Sequence, residues 1–290
     1  GNTCNFACVM CSPDESSMIY NHWRQDPDSF FIKEKLKEDP EYLDKIKLFG
    51  FKNQAYRNYV DDVCANNKLR YIKILGGEPL LDKYLLKKLS EIPAEQKAKI
   101  NLQIVTNGSM DLLEAKNYLG DFDEIQFTIS LEGVGQVQEY ARHFSNWKQI
   151  EKNILNFSKA YPKNLVIHYT LQTTTILGLQ NLIDWLKKNN LFFSVGVCDR
   201  PKHLGFSSLP NVLRDAIKNN LDETTEIKQN SFGDLDTISF EKVVKYIDDT
   251  PFDPGEYIKF LKYIEWYEKG KNTITLKELF PALYIDNKIN

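Results

Sequence analysis

Nowhere does the 290-residue chain run for the roughly 18 uncharged apolar residues that a membrane-spanning helix needs, and its start lacks the basic-then-apolar pattern of a secretory signal. An excess of basic charge is missing too. The 37 Lys and Arg against 40 Asp and Glu leave a formal charge of −3, which gives no long-range attraction for nucleic acid or an anionic membrane. Histidine is scarce: His22, His143, His168 and His203 share no ligand-like spacing, so each reads as packed or surface. No internal repeat or low-complexity stretch occurs, and 14 Gly with 11 Pro are too few for a collagen-like or disordered chain. What remains, 42% hydrophobic and 27% charged residues, describes a globular, cytoplasmic protein. Its length suits one large α/β domain with an extension. The first residue is Gly1 and the most chemical segment starts at Cys4, so the chain is expected to be part of a longer protein.

Cysteine is sparse but clustered. Of five, Cys4, Cys8 and Cys11 fall within eight residues, while Cys64 and Cys198 stand alone and read as small core residues. An odd count in a chain long enough to stabilise itself by burial fits a disulfide framework poorly. A structural zinc site is an alternative, but it takes four Cys or His ligands in two separated pairs, and no second pair appears downstream. Spacing of three then two on a loop suits a cubane iron–sulfur cluster, which thiolates hold and which normally takes four. With three offered, one iron stays open to a small molecule.

Around this loop the chain alternates strand and helix patterns. Residues 12–39 read as polar and irregular, and a helix is expected within 41–66. Strands are expected at 70–75, 100–105, 124–130, 165–171 and 191–197, with helices at 80–89, 147–160 and 179–189 between them. Strands separated by helices mean βα units and a parallel sheet. Beyond Arg200 the pattern turns to loop at 201–209, a helix at 212–221, polar sequence at 222–237, and short helices at 240–247, 254–269 and 276–283. The spacing of Tyr257, Phe260, Leu261 and Ile264 gives the helix at 254–269 one apolar face.

Polar punctuation ends the strands, where parallel α/β architectures place their chemistry. The first expected strand stops at Gly76-Gly77-Glu78-Pro79; glycine lets main chain approach a ligand that a Cβ would repel. Thr106-Asn107-Gly108 ends the next, Ser130-Leu131-Glu132-Gly133 the one after, Gln172 and Thr173 the fourth, and Val197 the last. Cys-x3-Cys-x2-Cys with Met10 before the last cysteine, followed by Gly-Gly-Glu, closely resembles the radical S-adenosylmethionine (SAM) superfamily. Trp147, Glu151-Lys152-Asn153, Asp199-Arg200-Pro201-Lys202-His203-Leu204, Leu209-Pro210 and Leu279-Phe280-Pro281 resemble landmarks of its members with a twitch domain.

The resemblance implies a partial (βα)6 barrel of parallel strands over 1–205, its first strand missing or truncated, and a mainly helical extension over 206–290. The extension sits in the twitch position without the cysteines of an auxiliary cluster. It implies one four-iron four-sulfur cluster held by Cys4, Cys8 and Cys11, and SAM contacted by Met10, Gly76, Gly77, Glu78, Pro79, Asn107, Ser130, Glu132, Arg142, Gln172 and Val197. Within that set Glu78 or an exposed carbonyl meets the SAM ammonium, Ser130 and Glu132 meet the ribose, and Arg142 meets the SAM carboxylate. The implied reaction is reductive cleavage of SAM to a 5′-deoxyadenosyl radical that abstracts hydrogen from an unidentified substrate, a peptide being the class considered. A flavodoxin or ferredoxin would donate the electron. A non-catalytic iron–sulfur and SAM-binding module is the other class of function considered.

Overall fold

The computed structural model describes residues 2–26, 29–46, 53–220 and 240–284; the polar segment 222–237 lies outside them. After the cysteine loop come helices α1 (Ser17–Gln25), α2 (Phe30–Glu38), α3 (Tyr42–Lys45) and α4 (Gln54–Ala65). Strand β1 (Tyr71–Ile74), α5 (Lys83–Ser90), α6 (Ala94–Lys97), β2 (Asn101–Thr106), α7 (Leu112–Leu119) and β3 (Glu124–Ser130) follow. Next are α8 (Gln136–Ala141), α9 (Trp147–Ala160), β4 (Leu165–Leu171), α10 (Leu179–Asn189) and β5 (Phe192–Val197). The chain continues through α11 (Asn211–Asn220), α12 (Phe240–Asp249), α13 (Pro254–Glu268) and α14 (Leu276–Leu279). None of the described helices is long and apolar enough to cross a membrane.

The five strands form one parallel sheet in the order β1-β2-β3-β4-β5. Its register pairs Ile74 with Ile104 and Ile104 with Phe127, so the residues that end β1, β2 and β3 come out at one edge of the sheet. This is the α/β architecture expected from the alternating pattern. Residues 12–39 depart from expectation, since α1 and α2 replace the irregular segment. Each begins at a serine whose side chain accepts from a backbone N–H three residues on, Ser16 from Ile19 and Ser29 from Ile32. Those two isoleucines are fully buried, and the burial holds the short helices.

Contacts divide the chain into two compact units, one of Gly1–Ser130 with Phe144–Ile167 and one of Leu131–His143 with His168–Asn290. In the first, Leu102, Ile104, Phe127 and Ile129 are buried with Ile150, Ile154 and Phe157 of α9. Phe127 and Phe157 meet edge to face at 5.0 Å between ring centroids, a favoured aromatic geometry. In the second, α13 buries Tyr257, Phe260 and Ile264 as its spacing predicts, while Leu261 of the same stripe is half-buried and Tyr263, Trp266 and Tyr267 are buried as well, so the buried face is shifted and wider than the stripe. Arg214 anchors this region: its guanidinium donates to the carbonyls of Leu209, Phe206, Ile247 and Thr250.

Candidate functional site

The site is built in the first unit from the residues on either side of Cys4. Glu78 donates its backbone N–H to the Thr3 carbonyl at 2.8 Å, which lays the Gly76-Gly77 turn against the chain entering the cysteine loop. Both glycines have positive φ, +92° and +57°. A Cβ on Gly77 would clash with the Thr3 carbonyl oxygen and come 2.9 Å from the Asn2 carbonyl carbon. The structure thus gives Gly77 a duty toward its own backbone: only glycine admits this approach. The Glu78 side chain, 2% exposed, accepts from the Thr106 hydroxyl at 2.6 Å, the Asn107 N–H at 2.7 Å and the Leu80 N–H at 3.1 Å. Its carboxylate ties the end of β1 to the end of β2, and Pro79 beside it is buried.

The loop itself is clamped from α1. Ser17 accepts from the Cys4 N–H at 3.1 Å and its own N–H donates to the Asn2 carbonyl at 2.8 Å. Ser16, buried, donates to the Phe6 carbonyl at 2.9 Å. The Phe6 N–H points at the Cys4 sulfur, 3.5 Å away, and a turn closed by the Cys11 N–H on the Cys8 carbonyl at 3.2 Å brings the last two cysteines round Met10. Cys8 is buried, and Cys4, Met10 and Cys11 are half-buried. Among the described residues no three His, Cys, Asp or Glu side chains converge as they would round one ion. A cubane does not require that convergence, because each thiolate binds a different iron. The donor set is three thiols on one pinned loop, with an amide donating toward one sulfur, and it suits an iron–sulfur cluster, whose properties depend on hydrogen bonds to its sulfurs.

Ser130 ends β3 half-exposed. In the second unit, Glu132, Arg142 and Gln172 come together, and they satisfy one another. Glu132 is fully buried; its carboxylate accepts from the Arg142 guanidinium at 2.8 Å and from the Gln172 amide at 3.0 Å, and its backbone N–H donates to Gln138. Burial pushes the Glu132 carboxyl above its ordinary range, opposed by Arg142 and then by the hydrogen bonds. The expectation set these three on SAM; the structure brings the three side chains together beside the turn that follows β3. Thr173, at the end of β4, donates to the Gly205 carbonyl, and Val197 is half-buried at the end of β5. Sequence reasoning gave no site role to Asn5, Ser109 or Asn153; Asn5 meets Asn107 and Ser109, and Asn153 meets the Gly108 carbonyl, across 102, 104 and 45 residues, so no local pattern announces these contacts.

The Radical SAM superfamily model matches residues 1–186, nearly two thirds of the chain. The chain belongs to the radical SAM superfamily. The cofactors are those of that superfamily, the four-iron four-sulfur cluster and SAM. Among solved structures it is similar to anSMEcpe with bound AdoMet, at 16% identity and a TM-score of 0.48, covering 68% of this chain and 48% of that one. It is also similar to Streptococcus suis SuiB bound to precursor peptide SuiA, at 16% and 0.41, covering 99% and 50%. A third is TYW1 with a lysine–pyruvate adduct bound, at 17% and 0.40, covering 76% and 70%. The chain spans about half the length of the first two. No curated protein matches it.

Proposed function

We propose that this radical SAM protein turns over, with Cys4, Cys8 and Cys11 holding three irons and the fourth left for SAM. The supporting observation is the loop of three cysteines pinned on both sides of Cys4. When bound, the cluster and SAM supply one-electron cleavage of the sulfonium and a hydrogen-abstracting 5′-deoxyadenosyl group; a flavodoxin or ferredoxin is the donor we assign. Cysteines read as cluster ligands rather than as a disulfide framework fit a reducing compartment, and we assign the protein to the cytoplasm. Because the Glu78 carboxylate is committed to Thr106, Asn107 and Leu80, we assign the SAM ammonium to the main chain at exposed Gly76, with Met10 and Ser130 as further contacts. Glu132 and Arg142 we assign to holding the turn after β3.

Residues 206–290 we read as a helical extension in the twitch position, and a peptide as the substrate class to test. The test is 5′-deoxyadenosine production by the reconstituted, chemically reduced protein, followed by incubation with deuterated peptides. Deuterium appearing in 5′-deoxyadenosine supports the peptide reading, and its absence across peptides that leave turnover intact removes it. A protein that binds cluster and SAM yet releases no 5′-deoxyadenosine is the non-catalytic module instead.

A further inference from the structure

We infer that Asn5, Asn107 and Ser109 form a lock on the cysteine loop, and that Asn107 is a positioning residue for the cluster ligand Cys4. This rests on the reading of Cys4, Cys8 and Cys11 as ligands. Between Cys4 and Cys8 stand Asn5, Phe6 and Ala7, of which only Asn5 is polar. Its carboxamide oxygen accepts from the Asn107 amide at 2.8 Å, and its own amide donates to the Ser109 hydroxyl at 3.1 Å. Asn107 in turn accepts the Ser109 N–H on its oxygen at 3.0 Å. Both carboxamides therefore use an oxygen and a nitrogen in mutually consistent directions, which fixes how each is turned.

The lock closes a ring. Asn107 donates its backbone N–H to Glu78, and Glu78 donates its own N–H to Thr3. Thr3 precedes Cys4 and Asn5 follows it, so one carboxylate-centred network grips the chain on both sides of this thiol. The loop carrying Asn107 and Ser109 is held from behind by Asn153 of α9, whose amide donates to the Gly108 carbonyl at 2.9 Å and the Met110 carbonyl at 2.8 Å. Asn153 is itself oriented by the Gln149 amide at 2.8 Å. With its neighbours fixed, Cys4 has little left to adjust but its own side-chain torsion. Support of this kind behind a metal ligand is what keeps the ligand in place.

The experiment uses the full chain, reconstituted anaerobically, in Asn5→Leu, Asn5→Asp, Asn107→Ala, Ser109→Ala and the double Asn5→Leu/Asn107→Ala forms. Cluster loss to an iron chelator is followed by the decay of its visible absorption, and the reduced cluster by electron paramagnetic resonance. Asn5→Leu and Asn107→Ala should each lose the cluster about tenfold faster than wild type, with a broadened reduced spectrum. The double form should be no faster than either, because both break one link. Asn5→Asp, which keeps the acceptor for Asn107 and offers the Ser109 hydroxyl an oxygen to donate to in place of the amide it accepted from, should return the loss rate to near wild type.

Wild-type rates in Asn5→Leu and Asn107→Ala, additive effects in the double form, or no rescue by aspartate would overturn the lock. In the cluster-free protein the same two single variants should speed hydrogen exchange at residues 2–11, and unchanged exchange there would overturn it without reference to iron. If wild type takes up no cluster at all, the ligand reading fails while the exchange experiment still judges the lock. Should Asn107→Ala not fold, Asn5→Leu on the half-buried loop carries the comparison.

Discussion

Replacing Gly77 with alanine should be among the most damaging single-methyl additions in this protein. Two costs arise from the geometry. At φ +57° any L side chain sits in the left-handed region, worth roughly 1–2 kcal/mol. The new Cβ also meets main chain, Thr3 and Asn2, rather than a side chain that could swing away, and overpacking of this sort costs about 1–3 kcal/mol. Relief requires the Thr3 segment to retreat, which stretches the 2.8 Å bond from the Glu78 N–H and forfeits about 1 kcal/mol more. The sum is about 3–6 kcal/mol. Gly270 separates the two costs, because its φ is +75° but a Cβ there would touch nothing within 4 Å. Gly270→Ala should therefore lose only the conformational part, roughly 1–2 kcal/mol. Urea denaturation of both variants, with iron content after reconstitution, is the assay. Equal losses in the two, or wild-type stability and iron content in Gly77→Ala, would refute the close-approach argument.

Three further outcomes follow from other parts of the structure. Glu132→Ala strands the Arg142 guanidinium in a buried position, so it should destabilise the SAM-free protein by about 3–5 kcal/mol; a variant that lost only SAM affinity, with an unchanged urea midpoint, would return Glu132 to the ribose. His203, its ring 4.8 Å from that of Tyr263 and tilted by 49°, is pushed by burial from 6.5 down to about 4. The unfolded chain therefore takes up that proton first as pH falls. Stability should be full above pH 6.5 and decline by about 3 kcal/mol toward pH 4, and His203→Phe should flatten that limb; denaturation midpoints at pH 7 and 5 that fall equally in the two proteins would contradict it. Arg214→Lys cannot reach the four carbonyls that the guanidinium satisfies, and charged hydrogen bonds of about 1.5–3 kcal/mol each are at stake. Limited proteolysis should then cut the 240–284 region faster than in wild type, and an unchanged cleavage rate would sink the anchoring role.

The sheet was legible because its strands alternate and its helices carry apolar faces: 124–130, 147–160, 165–171 and 179–189 begin and end where the pattern says. Helices α1 and α2 escaped because each offers a single short apolar stripe, and their serine caps at Ser16 and Ser29 are the signals that could have found them. Helix α7 was passed over although Asp111 caps its start and Gly120, at φ +79°, ends it. At the site the residue types could be read but not their partners. Nothing local says that Asn5 meets Asn107, 102 residues away, or that the carboxylate of Glu78 is taken by Thr106 and Asn107. Arg142 lies ten residues from Glu132, and a charge pair at that spacing is set by the turn between them rather than by any helical period.

The measurement that tests the central claim most directly is electron paramagnetic resonance of the reduced, reconstituted protein with and without saturating SAM. Three protein thiolates leave one iron open, so SAM should change the spectrum of the wild-type protein, and Cys4→Ala, Cys8→Ala or Cys11→Ala should abolish the signal while Cys64→Ala and Cys198→Ala keep it. An unchanged spectrum at saturating SAM, or a cluster that survives loss of any of the first three cysteines, would contradict the account.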